Sequence, residues 1–499
     1  MLRIVSHPLG PLPPVAPRAA AWRPELDAAI IATRSSSNVL QRLHQPGALV
    51  VTTGQQPGLF TGPLYTVHKA LAAAALARVL EARWHRPVVP VFWLAGDDHD
   101  FGEASTAAWI DASGTVIDWN LPAHLPSAPQ LPMSAEHLPA EVIDGLALLE
   151  RSLPAGEPRE ATLGWLRRHY QPGVTLHTAF SGAIAELVAP FGVVCFDPTH
   201  IVAKRAQVPM LAAALHQAAK LDHALAALPD AGTGIRVGDG ATLVFITTQA
   251  GRDRLLADGQ GFRSRRAGDR FDGRQIEQLL ERHPERFSAN VLLRPVVESA
   301  LLPTVAYLAG PGELRYLERQ ASVLYPLLEV TPQTPVPRWS GTVVERWTER
   351  LLARLHLDVD AVLHDDGSLA RAVLERDFPD DARQAIDALR HQIARSGSVI
   401  AASGHRIDPV LDRAVRGRTQ RLDQVAQDIE RVFLRHLRQR DSIAHAQFVR
   451  LATGLRPHGK PQERTLTAAS FLGRYGDAWL HCVFESVSAW AEGVPRDTP

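Results

Sequence analysis

The sequence predicts an α/β fold built on a parallel sheet, followed by a C-terminal pair of long antiparallel helices. Apolar, β-branched runs alternate with a strong helix-forming segment in the first hundred residues, which is typical of a strand–helix–strand unit. Further apolar runs of strand length follow at 191–198 and 303–313. Strand patterns disappear after residue 340, where narrow apolar stripes with a spacing of three to four residues indicate long helices.

Residues 1–110 are predicted to form the first half of the core. A proline-rich segment and one helix precede the short β-branched run ALVV at 48–51. The alanine-rich segment 64–83 favours a helix, and VVPVFWLA at 88–95 favours a second strand. Because one helix joins the two runs, they form a βαβ unit in which the strands are expected to be parallel.

The middle of the chain is predicted to contain two insertions. Residues 111–170 are richer in Pro, Ser and Ala and are expected to be a helical insertion, after which residues 171–345 complete the core. An inserted hairpin segment is predicted at about 200–290, because ATLVFITTQAGRDRLL and FRSRRAGDRFD have the pattern of a β-hairpin. We expect strand structure again at NVLLRPVVE and PTVAYLAGPGE, within 290–313, and then a helix.

Residues 346–455 are predicted to form an antiparallel α-helical coiled coil. After the turn SGHRIDP, the second helix carries apolar residues at intervals of a few positions: Leu411, Val415, Leu422, Val425, Ile429, Phe433 and Leu437. A stripe this narrow can be covered by the partner helix or by another subunit, and we expect a homodimer formed through it. The final segment, 456–499, is expected to form helices that pack on the core.

Composition excludes several classes of protein. The chain has 499 residues with 53 basic and 53 acidic side chains, so it lacks the excess of cations that nucleic-acid binding requires. Two cysteines, Cys195 and Cys482, are too few for a disulfide framework or a cysteine-rich metal site, and no dedicated metal site is predicted. The sequence shows no signal-peptide pattern and no membrane-spanning run, so we expect a cytoplasmic protein without nucleic-acid or membrane partners.

The stretch TTGQQPGLFTGPLYTVHK joins the first strand to the helix. Glycine permits positive φ and the close approach of a ligand, and Pro63 suits a first helical position with Thr61 or Gly62 as the cap. The N–H groups that open the helix are expected to face outward as a site for phosphate or carboxylate. Lys69, one of only four lysines, is expected to reach the same anion. A structural corner without a ligand is the alternative, since neither the P-loop nor the dinucleotide fingerprint is present.

The acidic stretch GDDHDFGE, residues 96–103, directly follows the second strand. Because parallel strands end at the same edge of a sheet, this stretch and the end of the first strand are expected to line one crevice. The polar residues assigned to that crevice are Gln55, Gln56, Asp97, Asp98, His99 and Asp100. Three roles stay open for the acidic group: magnesium binding with substrate phosphates, recognition of an ammonium group or a ribose, and base chemistry by His99. A capped, solvated loop is the structural alternative.

Two further junctions contain candidate ligand-binding residues. In AGPGELRY, Gly310 and Gly312 would bring a helix end to an anion, and Glu313 would receive an amine. In VPRWSGT, Arg338 and Ser340 lie where the sheet region ends and would contact a nucleotide phosphate. Corner geometry without a ligand is the alternative at both.

Together these stretches resemble the BshC family, the cysteine-adding enzymes of bacillithiol biosynthesis. The segments that carry the resemblance occur in the family's order from about residue 50 to 476: TGQQPGLFTGPLYTVHK, VPVFWLAGDDHDF, YLAGPGE, VPRWS, PQERTL and FLGRYG. The resemblance implies a Rossmann-like core with inserted connecting segments and an antiparallel coiled coil used for dimerisation. It implies the last step of bacillithiol synthesis, in which cysteine is joined to the amine of glucosaminyl-malate.

The resemblance also implies roles for individual residues. By fold-level analogy with class I aminoacyl-tRNA synthetases and nucleotidylyltransferases, TGP and Lys69 would hold nucleotide phosphates, and Asp97 or Asp100 the substrate amine. The residues expected to act in catalysis are Lys69, Asp97, His99 and Asp100, with His99 or an acidic neighbour as the base. Those expected to bind substrate are Gln55, Gln56, Thr61, Gly62, Asp98, Gly310, Gly312 and Glu313. Those expected to bind nucleotide are Gly58, Arg338, Ser340, Lys460, Gln462 and Arg464, the last three at a nucleotide site beside the coiled coil.

Amide formation from a free carboxylate needs activation, so ATP, with magnesium as its counter-ion, is the expected co-substrate. Two other functions stay open on the sequence alone. One is a nucleotidylyltransferase-like or glycosyltransferase-like enzyme that acts on another small substrate. The other is a non-catalytic coiled-coil assembly protein that binds nucleotide as a regulator. The polar crevice favours an enzyme, whereas the charged helical hairpin fits either.

Overall fold

A computed structural model describes residues 2–230, 232–235, 238–259, 261–375, 378–440 and 442–493. The predicted segments 200–290, 346–455 and 456–499 each include some residues outside this set. The chain divides into two compact units, a larger one formed by residues 2–344 with the segment from Lys460 onward, and a smaller one formed by residues 345–459. In the described part of the chain, no helix combines the length and apolar character that crossing a membrane requires.

The described residues form fourteen strands and twenty-one α-helices, numbered in chain order. The strands are β1 (Arg3–Ser6), β2 (Leu49–Gln55), β3 (Val88–Leu94), β4 (Thr106–Ile110), β5 (Val116–Asn120), β6 (Val194–Phe196), β7 (Ala241–Thr248), β8 (Gly251–Asp258), β9 (Gly261–Ser264), β10 (Arg270–Asp272), β11 (Phe287–Ala289), β12 (Thr304–Ala309), β13 (Thr334–Pro337) and β14 (Gly341–Val344). The helices are α1 (Ser36–Leu43), α2 (Tyr65–Trp84), α3 (Phe101–Ala104), α4 (Val142–Ser152), α5 (Glu157–His169), α6 (Leu176–Val188), α7 (Ile201–His216), α8 (Ala218–Ala226), α9 (Gly273–Arg282), α10 (Arg294–Leu301), α11 (Pro311–Arg319), α12 (Leu324–Leu327), α13 (Arg346–Leu355), α14 (Val359–Leu363), α15 (Leu369–Glu375), α16 (Asp380–His405), α17 (Pro409–Arg440), α18 (Ser442–Leu455), α19 (Gln462–Thr465), α20 (Ala469–Tyr475) and α21 (Asp477–Ala491).

A five-stranded parallel sheet forms the centre of the larger unit, in the order β13-β12-β2-β3-β6. The register of β2 and β3 runs from Leu49 opposite Val88 to Gln55 opposite Leu94, so the two strands end side by side. The residues that follow β2, β3, β12 and β13 therefore meet at one edge of the sheet. The predicted α/β class with a parallel sheet is confirmed.

Two hydrophobic clusters cover the two faces of this sheet. Side chains alternate between faces along a strand, and accordingly Leu49 and Val51 belong to one cluster while Val50 belongs to the other. Helix α2 packs on β2 and β3 and is buried around most of its circumference, because its many alanines allow close approach of the sheet on one side and of α21 on the other.

The segments inserted in the core differ in part from expectation. The predicted helical insertion, residues 111–170, contains helices α4 and α5 but also strand β5, which pairs with β4 just before the insertion. The predicted hairpin is part of a larger antiparallel sheet, in the order β10-β9-β8-β7-β11. The expectation of a strand at NVLLRPVVE is wrong, because helix α10 begins there at Arg294 with Pro295 in its first turn. Proline is favoured at that position, since the N–H that it lacks has no partner within the helix.

The smaller unit contains α13 to α18, and α16 and α17 form its long helical pair. The residues that meet run in opposite directions along the two helices: Arg390 pairs with Asp423 at 2.9 Å, and a Cβ on Gly397 would lie 2.3 Å from Thr419 Cγ2. The antiparallel arrangement of the predicted coiled coil is confirmed. Its glycine is needed at that crossing because the facing threonine leaves no room for a side chain.

Candidate functional site

A cavity of about 510 Å³ opens at the edge of the sheet where β2, β3, β12 and β13 end. Of the predicted site residues, it is lined by Gln55, Gln56, Lys69, Asp97, Asp98, His99, Gly310, Gly312, Glu313, Arg338 and Arg464. The expected crevice shared by the ends of β2 and β3 is therefore present. The antiparallel sheet and the residues after it supply the opposite wall, with Phe245, Arg252, Arg254, Asn290 and Arg294.

Positive charge predominates in the cavity lining. Three carboxylates line it, those of Asp97, Asp98 and Glu313. Six cationic side chains line it: Lys69, Arg252, Arg254, Arg294, Arg338 and Arg464. Lys69, Arg294 and Arg338 are paired with carboxylates, but cations still outnumber carboxylates in and directly behind the lining. A cleft in which charge of one sign is in excess attracts ligands of the other sign. The cavity therefore favours a ligand that carries carboxylate or phosphate groups.

The ammonium group of Lys69 is held at the floor of the cavity. Its Nζ lies 2.5 Å from Glu313 Oε2 and donates to the carbonyl of Gly54 at 3.0 Å and to Gln55 Oε1 at 3.1 Å. Burial acts to raise the pKa of Glu313, but the Lys69 charge and the hydrogen bond donated by the Gly310 N–H hold that pKa below its ordinary value. The amine that Glu313 receives is thus that of Lys69.

A second buried pair lies behind the first. Arg294 contacts Glu298 with an Nη1–Oε2 distance of 2.9 Å and donates from Nη2 to the hydroxyl of Tyr307 at 3.0 Å. Tyr307 in turn donates to Glu313 at 2.8 Å. This chain of hydrogen bonds joins helix α10, strand β12 and helix α11, and it fixes Arg294 and Glu313 relative to each other.

Arg338 and Glu463 form the most buried ion pair of the site. The guanidinium donates two hydrogen bonds to the carboxylate, at 2.7 and 2.6 Å, and His68 Nδ1 lies 3.2 Å from Glu463 Oε2. Burial raises the pKa of Glu463, but the hydrogen bonds from His68 and Arg338 outweigh it and lower that pKa to about 2. Two parallel hydrogen bonds between a guanidinium and a carboxylate orient both groups strongly.

The acidic lip of the cavity is held by an ion pair and by backbone contacts. Asp97 Oδ1 accepts from Lys204 Nζ at 2.7 Å, and Lys204 also donates to the carbonyl of Phe287 at 2.7 Å. Asp98 Oδ1 accepts from the N–H of His99 at 2.7 Å. The ring of His177 packs against Gly96, where a Cβ would lie 2.5 Å from its Nδ1. The position of the acidic loop is thus set by contacts on both of its sides.

His99 contacts a cation as well as its acidic neighbours. Its Nδ1 lies 3.1 Å from Arg252 Nη1 and 3.7 Å from Asp98 Oδ1. Burial and the charge of Arg252 lower the pKa of His99, although Asp98 and Asp100 oppose them. His99 is therefore neutral near pH 7.

One polar atom of the cavity has no partner among the described residues. Gln56 Nε2 is buried and makes no hydrogen bond there. A buried amide donor without a partner costs free energy, which a bound acceptor removes. Gln56 is therefore suited to donate to a ligand oxygen.

The expectation that the start of α2 offers free N–H groups is wrong. The Leu64 N–H donates to the Leu466 carbonyl at 2.7 Å, and Pro63 pairs with Thr467. A segment more than 400 residues further along the chain thus covers this helix end. The Leu64 N–H, one of the groups expected to bind an anion, is therefore already paired within the protein.

The nearby residues Gly58, Thr61 and Gly62 shape a turn and do not line the cavity. Tyr170 clamps this turn, since its hydroxyl donates to the Gly58 carbonyl at 2.9 Å and accepts from the Thr61 N–H at 2.7 Å. Gly62 has φ of 67°, and a Cβ on Gly58 would lie 2.9 Å from the Gly62 Cα. These contacts support the structural alternative for the turn, and none of the three residues lines the cavity where they were expected to bind a ligand.

Four other candidates also lie outside the cavity lining. Asp100 caps the short helix α3 by accepting from the Glu103 N–H at 3.1 Å. The Gln462 side chain bonds both backbone groups of Val343, at 2.8 and 3.0 Å, which pins the end of β14. Ser340 is buried beside β1 and its carbonyl accepts from the His7 N–H. Lys460 is exposed.

Sequence reasoning missed several residues of the site. Lys204 shares with Lys69 the rarity of lysine in this chain, and that signal could have identified it. Arg294 had a local signal in the proline that follows it. Arg252 had none, because it reaches the cavity from an inserted sheet. Glu463 lies in PQERTL, one of the segments that carry the resemblance, but no local spacing indicates its contact with Arg338.

Comparison with known proteins supports the resemblance seen in the sequence. The family model for the N-terminal Rossmann-like domain of the bacillithiol-biosynthesis protein BshC matches residues 25–338. The model for the C-terminal coiled-coil domain of BshC matches residues 341–490. The two matches cover both compact units of the chain.

Curated proteins named "Putative cysteine ligase BshC" are similar over most of the chain. The protein from Heliobacterium modesticaldum is 31% identical over 480 residues, covering 91% of this chain and 83% of its own length. The protein from Solibacter usitatus is 30% identical over 491 residues, covering 94% and 90% respectively. The protein from Symbiobacterium thermophilum is 31% identical over 471 residues, covering 90% and 83%.

Proposed function

Because this chain belongs to the BshC family of bacillithiol biosynthesis, we propose that it is a ligase that joins L-cysteine to the amine of glucosaminyl-malate, with ATP as the activating co-substrate. The relatives named as cysteine ligases support the class of reaction. The observation that carries the proposal is the cationic cavity at the edge of the parallel sheet, with carboxylates on one lip. Cysteine, glucosaminyl-malate and ATP all carry negatively charged groups. Cysteine and glucosaminyl-malate also carry an amine.

The chemistry requires activation, because a free carboxylate is a poor acceptor for an amine. A carboxylate oxygen of cysteine would attack a phosphorus atom of ATP, which gives an acyl-adenylate and pyrophosphate, or an acyl-phosphate and ADP. The sugar amine would then attack the activated carbonyl carbon and form the amide bond as AMP or phosphate leaves. The amine loses one proton in this step, and the thiol of cysteine takes no part.

The lining residues divide these tasks by charge. Arg338 and Arg464, two of the cations in the cavity lining, would bind phosphate or malate oxygens. Asp97, which Lys204 holds in place, would bind the ammonium group of cysteine, and Asp98 would accept the proton of the attacking amine. Gln56 would donate its unpaired N–H to a substrate oxygen. Magnesium enters this scheme only with the nucleotide phosphates; the described residues contain no group of three His, Cys, Asp or Glu arranged to hold a metal.

The direct test incubates the pure full-length protein with cysteine, glucosaminyl-malate and ATP and detects bacillithiol by mass spectrometry. Exchange of labelled pyrophosphate into ATP in the presence of cysteine then separates adenylation from acyl-phosphate formation. Asp97→Asn should raise the KM for cysteine about 10- to 100-fold, the equivalent of one charged hydrogen bond. Asp144→Asn, which changes an exposed carboxylate on α4, is the matched control. Absence of the product with all three substrates present would refute the proposed function.

We further propose that the smaller unit forms a homodimer through its long helical pair. Leu422, Val425 and Val432 of α17 are each about half exposed, which is costly for apolar side chains in water. A second copy of the same helix would cover them. Val425→Glu should convert a dimer to a monomer in light-scattering measurements, whereas a wild type of monomer mass would refute this assembly.

A further inference from the structure

Arg252 holds a fixed position beside His99. It lies on β8, and three residues of the same antiparallel sheet, on β7 and β11, hold its side chain. Nε donates to Ser288 Oγ at 2.9 Å, Nη2 donates to the Ala289 carbonyl at 2.8 Å, and the guanidinium lies 4.1 Å from the centre of the Phe245 ring. The remaining terminal nitrogen, Nη1, faces His99 Nδ1 at 3.1 Å. Arg252 itself is buried.

The chemistry of arginine decides which atom donates in this contact. A guanidinium keeps its proton throughout the ordinary pH range and has no acceptor atom. The hydrogen bond therefore requires a lone pair on His99 Nδ1, and the single N–H of the neutral ring must be on Nε2. We propose that Arg252 is a positioning residue that fixes His99 as the neutral Nε2–H tautomer, so that His99 donates a hydrogen bond to the substrate and does not act as the base.

The charged groups around His99 support its neutrality. Asp98 and Asp100 belong to its own loop, and each favours the imidazolium form. Arg252 and Arg266, from the facing antiparallel sheet, favour the neutral form, and burial adds to their effect. The net result is a pKa of His99 below its ordinary value, with burial as the largest cause. The ring thus stays uncharged at the pH where most cytoplasmic enzymes work.

The catalytic part of this inference rests on the proposed ligation. When the sugar amine attacks the activated cysteine, negative charge develops on the carbonyl oxygen, and an N–H donor placed there lowers the barrier. His99 Nε2–H would supply that donor without transferring its proton. The proton of the amine would go to a carboxylate of the acidic lip. Base catalysis by His99, one of the alternatives that the sequence left open, would require a free lone pair on a ring nitrogen, and the observed contact already uses that lone pair.

The tautomer is tested by nuclear magnetic resonance on the full-length protein labelled with ¹⁵N-histidine, with His99→Gln used to assign the His99 signals. At about pH 6.5, the ordinary midpoint of histidine, we expect the neutral ring to predominate over imidazolium, with a protonated Nε2 and an unprotonated Nδ1. Arg252→Met should raise the pKa of His99 and mix the two tautomers. Arg252→Lys keeps a cation that cannot accept a hydrogen bond and should preserve the Nε2–H form.

The control for charge is Arg270→Met, which removes an exposed cation from strand β10, separated from β8 by β9 in the same sheet, and should leave the His99 signals unchanged. A protonated Nδ1 in the wild type would overturn the inference. So would an Arg252→Met spectrum identical to that of Arg270→Met. If Arg252→Met does not fold, the wild-type spectrum and the Arg252→Lys variant still decide the tautomer.

Kinetics test the role of the donor. His99→Gln keeps an N–H donor near the Nε2 position, whereas His99→Ala does not. The kcat of His99→Gln should therefore be roughly 10-fold or more higher than that of His99→Ala. Equal losses in the two variants would show that an N–H donor at this position does not support catalysis and would overturn the catalytic part. Arg252→Met should lower kcat more than it changes the KM for cysteine. A wild type that performs no ligation would refute the proposed function, while the tautomer is decided separately by the spectra.

Discussion

Glu463→Gln tests how strongly the C-terminal segment is bound to the site. The wild-type carboxylate accepts two hydrogen bonds from Arg338 and is almost fully buried, and its pKa is lowered from 4.5 to about 2. A pKa difference of about 2.5, at about 1.4 kcal/mol for each pH unit, corresponds to about 3–4 kcal/mol of stability at neutral pH. The variant also leaves the guanidinium of Arg338 buried beside a neutral amide, and loss of one partner of a buried pair costs about 3–5 kcal/mol. Both routes predict a loss of about 3 kcal/mol in the free energy of unfolding.

The same pair predicts a dependence on pH with a definite sign. Since the folded-state pKa lies below the unfolded-state value, the stabilisation is complete above pH 4.5 and is lost as the pH falls towards 2. More than half of it should be lost by about pH 3. The advantage of the wild type over Glu463→Gln should therefore shrink between pH 7 and pH 3.

Urea unfolding followed by tryptophan fluorescence measures this effect, because Trp339 packs edge-on against His68 within the same cluster. Glu150→Gln removes the carboxylate of an exposed pair with Arg167 and should cost no more than about 1 kcal/mol. If Glu463→Gln costs no more than this control at pH 7, or if its deficit is the same at pH 3, the reasoning about the buried pair is refuted.

Two further changes test the acidic lip of the cavity. Gly96→Ala places a Cβ 2.5 Å from the Nδ1 of His177, so it should cost about 1–3 kcal/mol of stability and displace the acidic loop, with a measurable fall in kcat/KM for cysteine. Lys204→Met breaks the ion pair with Asp97 and leaves a buried carbonyl without its donor, so urea unfolding should show a loss of about 3 kcal/mol.

Each of these changes has a control within the chain. Gly164→Ala adds a Cβ on α5 with no atom within 4 Å and should be neutral or stabilising by up to about 1 kcal/mol. Lys220→Met removes an exposed lysine of α8 and should change stability by less than about 0.5 kcal/mol. Equal effects in a variant and its control would contradict the contacts assigned to Gly96 or to Lys204.

The sheet edge could be predicted from sequence because it depends on local patterns. The apolar runs at 48–51 and 88–95, with one helix between them, fix two parallel strands, and parallel strands end together. The polar residues after each run, Gln56 and Asp97 among them, therefore had to share a crevice. No information from distant parts of the chain was needed for this step.

The helix end at Gly62 could not be predicted in the same way. Its glycine and proline pattern is the same whether the N–H groups face a ligand or another segment of the protein. The acceptor in this chain is the carbonyl of Leu466, which no local signal connects to residue 64. The apolar run at 290–298 was ambiguous for a different reason, since a short buried helix and a buried strand have similar composition, and only Pro295 favoured the helix.

The segment from Lys460 onward packs within the larger unit, although it follows the helical unit in the chain. This arrangement determines when the cavity can be completed during synthesis. Arg464, which lines the cavity, and Glu463, which pairs with Arg338, leave the ribosome only after the whole of residues 345–459 has been made. At typical elongation rates this delay is roughly 6 to 20 seconds. A nascent chain ending within the helical unit therefore has the strands of the parallel sheet but lacks Arg464 in the cavity and the buried partner of Arg338. The complete pocket forms only after the C-terminal segment has been made.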